Sequence, residues 1–321
     1  MQIALPGLMA KRRRIATTEP ITWTQRTSNF GTAYMAAGAY GSDGVYTIVG
    51  GYEASGPSCR AITQTDPTSA WTLNTSTGLS NYFENGLLFD GTNWVSSSTN
   101  QGIAHTTDAT SSWTGLSNGI SVSGIAYNGS LYVCGDGNAN KFWTASSASG
   151  TWTERTNPLG ANRIYTAGWD GTYWVVAGAA GKMEYATDAT SGSWTTISSP
   201  FGTSLILSLA FGNGYWVAVA ADGKLATCPT NATGTWTLHG TSSFGSDTIR
   251  SVAYANNAWA ACGNAGKIGT CGKNPTGTWT QRTSSFSSSD TLWTIFYGDG
   301  YWVCGGGDGE EGLVATAVPG S

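Results

Sequence analysis

Residues 205–238 read LILSLAFGNGYWVAVAADGKLATCPTNATGTWTL, and this stretch decides the fold. An apolar run at 205–211 ends in Gly212-Asn213-Gly214, and YWVAVA at 215–220 follows as a second strand. Ala221-Asp222-Gly223 turns the chain into KLATC, and PTNATG leads to a fourth strand at TWTLH. Asn-Gly and Asp-Gly between alternating apolar runs are strong hairpin signals, because type I′ turns need φ > 0. The unit is a four-stranded antiparallel meander.

This unit recurs along the chain. The dipeptide Trp-Thr begins at Trp23, Trp71, Trp113, Trp152, Trp194, Trp236 and Trp279, at intervals of 39 to 48 residues. A second aromatic row, Tyr46, Trp94, Tyr132, Trp174, Trp216, Trp259 and Trp302, keeps step with it. So does a third: Tyr40, Phe89, Tyr127, Trp169, Phe211, Tyr254 and Tyr297. A single sheet of this kind cannot bury both faces, so neighbouring repeats must supply the partner surfaces. Closing them into a ring also protects the sheet edges.

At the C-terminus three strands, near 292–297, 301–304 and 312–317, lack a fourth, and the segment around 21–25 supplies it. The expected fold is therefore all-β: a single seven-bladed β-propeller over residues 21–321, made of four-stranded antiparallel blades. An N-terminal strand completes the C-terminal blade and closes the ring. Residues 1–20 are expected to form a separate basic arm.

Composition agrees with this reading. Charged residues are only 11% of the 321, while Gly (45) and Trp (15) are abundant, which suits short strands joined by tight turns. No apolar run approaches the roughly 18 residues that span a bilayer, so membrane insertion is not expected. In MQIALPGLMAKRRR a short, Pro-broken apolar stretch precedes the basic cluster, the reverse of a secretory signal, so the segment is expected to be retained. Six cysteines in so long a chain make no disulfide framework. Cys134, Cys262 and Cys304 share one repeat position and Cys228 and Cys271 another, as reduced core thiols would; a Cys262–Cys271 disulfide across one hairpin stays open.

The turn before each Trp-Thr carries a family resemblance. Residues 106–113, TTDATSSW, resemble the Asp-box pattern Ser/Thr-x-Asp-x-Gly-x-Thr-Trp of sialidase-type propellers. Asp66 stands at the same distance before Trp71, Asn231 and Asn274 substitute in their copies, Asp188 is displaced by one residue, and the pattern's Gly is absent or shifted. The Trp-Thr, Gly-rich repeats are most similar in style to propeller proteins of tailed-bacteriophage virions. A sialidase resemblance implies three arginines, a Tyr–Glu pair and an acid–base Asp. Here Arg163-Ile164 is followed by Tyr165 instead of Pro, and no positions match the rest.

The remaining candidates for chemistry are few. His105 and His239 are the only histidines and have no ligand-spaced partner, so no metal, cofactor or catalytic residue is expected. Arg26, Arg155 and Arg282 share a position after Trp-Thr, which suggests a blade-to-blade structural role; Arg163 and Arg250 lie near fourth-to-first loops. Lys141, Lys182, Lys224 and Lys267 form a row on one rim, either bonded to turn carbonyls or arrayed as a basic arc. Phe30, Phe201, Phe244 and Phe286 recur in the loops of the same face, either as wedges between blades or as exposed stacking platforms. Both rows are candidate binding-face residues.

Lys11, Arg12, Arg13 and Arg14 against Glu19 make residues 1–20 about +3 and leave −7 on the rest of a chain whose net charge is −4. That acidic body argues against nucleic acid, so the four basic residues are a candidate assembly anchor to other virion proteins. The functional expectation is a non-enzymatic structural or attachment protein of a tailed-phage virion, assembled in the host cytoplasm. It would be present in many copies, with host glycan or virion protein on its loop face. A multivalent lectin and, more distantly, a sialidase-like glycoside hydrolase are the alternatives.

Overall fold

The computed structural model describes residues 22–51, 60–75, 83–98, 102–116, 122–136, 141–239, 243–308 and 311–319. Their strands form seven four-stranded antiparallel sheets. Six sheets are built from consecutive strands, as in blade five: Ile206–Gly212, Tyr215–Ala220, Leu225–Pro229 and Thr237–His239. Blade seven is different. Thr291–Gly298, Tyr301–Gly307 and Gly312–Ala317 are joined by Thr24–Arg26 from the other end of the chain, in the register Thr24↔Thr316, Gln25↔Ala315 and Arg26↔Val314. The expected closure is present. Lys11 to Arg14 lie outside the described residues.

The core sits between blades instead of within them. Seven apolar clusters occur among the described residues, one for each pair of neighbouring blades. Between blades four and five, Val175, Ala177 and Met183 of one pack against Trp216, Ala226 and Trp236 of the next. The second aromatic row is at most 1% exposed throughout. The third row lies over it, with ring centroids 4.3 to 5.3 Å apart in all seven blades. Such offset or tilted pairs add about 0.5–1.5 kcal/mol each beyond their buried area.

Polar bolts join neighbouring blades at the hairpins between first and second strands. Asp43 accepts from Trp94 Nε1 at 2.8 Å, Asp170 accepts from Trp216 Nε1 at 3.0 Å, and Asp90 accepts from the Tyr132 hydroxyl. At the closure the Gly298 carbonyl takes the same role toward Tyr46, at 2.5 Å. Burial, then the Asp90 carboxylate, holds the Tyr132 phenol far above its ordinary range. The hairpin glycines serve the same packing: a Cβ on Gly212 would fall 2.2 Å from the Tyr254 ring of the next blade.

The turns before Trp-Thr share one hydrogen-bond pattern. Asp66, Asp108, Asp188, Asn231 and Asn274 each accept from the backbone N–H and the hydroxyl of the threonine two residues on, at 2.6–3.1 Å. Asp188 does so despite its displacement, and Gly192 in the following turn has a φ of +74°. The threonine hydroxyl, with its backbone N–H, holds all three carboxyls below the usual carboxylate range. A depressed folded pKa stabilises above the unfolded value and is lost as pH falls through the folded one. The expected result is a stability decline between about pH 5 and 3 that flattens in the D66N/D108N/D188N variant, read by urea midpoints across that range.

Two sequence expectations meet the structure here. Arg26, Arg155 and Arg282 each donate from Nε to a threonine on the third strand of their own blade (Thr316, Thr144 and Thr270, at 2.5–3.1 Å), and the Arg26 and Arg155 charges also help to lower the carboxyls of Asp66 and Asp188 in the next blade. His239 fills the same position in blade five, 2.8 Å from the Thr227 hydroxyl. Cys262 pairs across its hairpin with Ile268 and Cys271 with Trp259, so these thiols do not face each other. Both are free and buried. No helix among the described residues is long and apolar enough to cross a membrane.

Candidate binding site at the propeller axis

The two rows proposed for the loop face are largely occupied by the fold itself. Phe30, Phe201, Phe244 and Phe286 are buried in four inter-blade clusters. At no more than 9% exposed they are wedges between blades, the first of the two roles expected of them, and not surface platforms. Leu159 fills the equivalent place between blades three and four. The lysines are tied down around these wedges. Lys224 donates to the Phe201 carbonyl and pairs with Asp222 at 2.6 Å; Lys267 donates to the Phe244 carbonyl and pairs with Asp247 at 2.7 Å. Arg60 does the same for Phe30, at 2.7 Å. Lys141 pairs with Glu154 at 2.7 Å on the surface, and Lys182 is exposed. Most of this row therefore serves local structure, and a continuous basic arc is not formed.

The structure points instead to the axis. Every first strand has a register shift near its start, as between Ile206 and Ser208, Ile249 and Ser251, or Leu292 and Thr294. A β-bulge of this kind re-aims a side chain out of the pleat. The extra residue stands four places before the third aromatic row: Ala36 in blade one, Tyr165 in four, Leu207 in five, Arg250 in six and Trp293 in seven. A cavity of about 130 Å³ lies here, walled by first strands from six blades.

Arg250 dominates this cavity. Its guanidinium carbon lies 3.7 Å from the centroid of the Trp293 ring, and its Nε donates to Asn264 Oδ1 at 2.8 Å. Tyr34 meets the same indole edge-on at 5.9 Å. Burial lowers the pKa of Arg250 from its ordinary value, and guanidinium is basic enough to stay charged. Among the described residues no carboxylate pairs with it, and none lines the cavity. In blade four Arg163 stacks on Tyr165 at 4.8 Å, and Leu205, just ahead of blade five, is 38% exposed.

Sequence reasoning named Arg163 and Arg250 only as loop-end arginines and missed Tyr34 and Trp293. The available signal was asymmetry. At the position four residues before the third aromatic row, Ala36, Asn85, Ser123, Tyr165, Leu207, Arg250 and Trp293 share no common character, although that position repeats in the fold. Among the described residues no cluster of metal-ligating side chains occurs.

No family model and no curated protein sequence matches this chain. Solved structures do. Catalytically inactive virginiamycin B lyase from Staphylococcus aureus, with quinupristin, aligns with a TM-score of 0.75 at 12% identity, over 93% of this chain and 99% of that one. YCF48 from Cyanidioschyzon merolae aligns at 0.70 and 14% identity, over 92% and 98%, and YCF48 bound to D1 peptide at 0.68 and 15%, over 94% and 97%. The expectation that this chain is not an enzyme is corrected by the first of these: the same ring is the body of a lyase, so the fold gives no ground for excluding catalysis. At these identities the likeness concerns architecture alone, and it shows the chain to be a seven-bladed β-propeller of four-stranded antiparallel sheets.

Proposed function

We propose that this chain is a recognition component of a tailed-bacteriophage particle, which seizes an anionic group of its partner in the axial cavity. The observation that carries the binding part is Arg250: a half-buried cation stacked on Trp293, with no counter-charge among the described residues. Burying a charge without a partner is costly, so a site that keeps one is suited to an anion arriving from outside. Solved complexes of the same ring with a peptide, and with quinupristin, support treating a propeller of this build as a binding platform.

The particle setting rests on the resemblance of the Trp-Thr, Gly-rich repeats to phage propellers and on the basic arm. Lys11, Arg12, Arg13 and Arg14 would anchor the ring to other virion proteins, leaving the axial face toward a host surface glycan. Many copies on one particle would let individually weak contacts sum by avidity.

The test uses particles carrying altered chains. With R250Q, incorporation is expected at normal copy number while adsorption to host cells falls by roughly 10-fold or more, the scale of one charge-assisted contact. Deletion of residues 2–16 is expected to remove the protein from particles. Normal adsorption by R250Q particles would overturn the axial reading, and normal incorporation of the truncated chain would overturn the anchor.

A further inference from the structure

The cavity wall carries a guanidinium and several hydroxyls that can act as hydrogen donors. Each first strand that loses a ladder bond at its bulge has one inward backbone N–H to satisfy. The preceding blade does this with a hydroxyl: Thr166 Oγ1 accepts from Leu209 N–H at 3.2 Å, Ser208 Oγ from Val252 N–H at 3.2 Å, and Ser251 Oγ from Ile295 N–H at 3.3 Å. All three residues line the cavity. A hydroxyl that accepts in this way still has its own proton to donate, and among the described residues no acceptor takes it. Arg250 adds to the same set. Its Nε is used by Asn264, and its two terminal nitrogens take no partner among the described residues, so an end-on fork of two N–H groups remains.

From this donor wall, and resting on the axial reading above, we infer that the cavity is a carboxylate site and that its ligand is an acidic sugar. A planar guanidinium fork matches a carboxylate bidentately. A single cation with no second basic residue on the cavity wall suits a monoanion better than a phosphate dianion. The cavity, of about 130 Å³, has room for a carboxylate and the atoms behind it. Trp293, on the cavity wall, offers an apolar ring beside the bound group. The hydroxyls and ring oxygen of a hexuronate can all accept.

The test is calorimetric titration of the intact chain with D-glucuronate, its methyl ester, inorganic phosphate and a short peptide with a free C-terminus. Glucuronate is expected to bind in the millimolar range, with the ester and the R250Q chain each weaker by roughly 10-fold and R250K intermediate. Thermal melts of both variants are expected to match the parent. Glucuronate affinity is expected to stay level from about pH 5 to 8, where a carboxylate is fully ionised and phosphate still gains charge. Equal binding of acid and ester, tighter binding of phosphate or peptide, or affinity unchanged in R250Q would each overturn the inference. Loss of adsorption by R250Q particles without any glucuronate binding would overturn it while leaving the axial function standing. Glucuronate binding that depends on Arg250, with normal particle adsorption, would do the reverse.

Discussion

Deleting residues 1–26 is expected to leave a chain that no longer unfolds in one cooperative transition. The deletion removes Thr24–Arg26, the fourth strand of blade seven, together with Trp23, which is 3% exposed in the cluster between blades six and seven. Loss of a buried Trp side chain costs about 3–5 kcal/mol. The strand's hydrogen bonds, including Arg26 Nε to Thr316 at 2.8 Å, add about 1 kcal/mol each. The total is comparable to the 5–15 kcal/mol that holds a typical domain folded. The measurement is a thermal melt followed by circular dichroism, with deletion of residues 2–16 separating the arm from the strand. A peptide spanning residues 20–31, added in trans, is expected to restore part of the transition. An unchanged melt after the longer deletion would mean that the ring holds without its closing strand.

Replacing Trp216 with Ala is expected to cost at least 4 kcal/mol, about as much as the largest core truncations. Its side chain is fully buried between blades four and five, lies 5.3 Å from the Phe211 ring, and donates to Asp170 of the preceding blade at 3.0 Å. The two contributions are separable. Trp216→Phe keeps most of the volume and removes the donor, whereas Asp170→Ala keeps the indole and leaves its N–H without a partner, at about 1–3 kcal/mol. Urea denaturation of the W216F/D170A cycle is expected to give a coupling of about 1 kcal/mol or more, since the groups touch. Additive losses would show that the bolt between blades contributes no energy of its own. A smaller loss is expected for the Tyr132–Asp90 pair at the equivalent joint of blades two and three, where the ring is smaller.

The repeat architecture was legible because it is enforced locally and seven times over. Trp-Thr, the aromatic rows and the Asn-Gly and Asp-Gly turns each depend on contacts within one unit or with the next, so each leaves a periodic mark. The Phe30, Phe201, Phe244 and Phe286 row shows where this kind of reading stops. Periodicity revealed that the position is structurally equivalent from blade to blade but not whether it faces solvent or a neighbouring sheet. The lysine row had the same ambiguity, which Asp222, Asp247 and the wedge carbonyls resolve in three dimensions.

The axial site was illegible for the opposite reason. Tyr34, Arg250 and Trp293 come from three blades, lie up to 259 positions apart and follow no period. Only ring closure and the first-strand bulges bring Arg250 and Trp293 to one cavity, with Tyr34 packed behind the indole. Sequence alone therefore determined the number of sheets, their four-strand plan and the strand exchanged between the ends, because alternation and turn chemistry act over a few residues. Tertiary structure decided which repeated side chains are wedges and which arginine is left uncompensated, because burial and charge pairing depend on groups that the chain order keeps far apart.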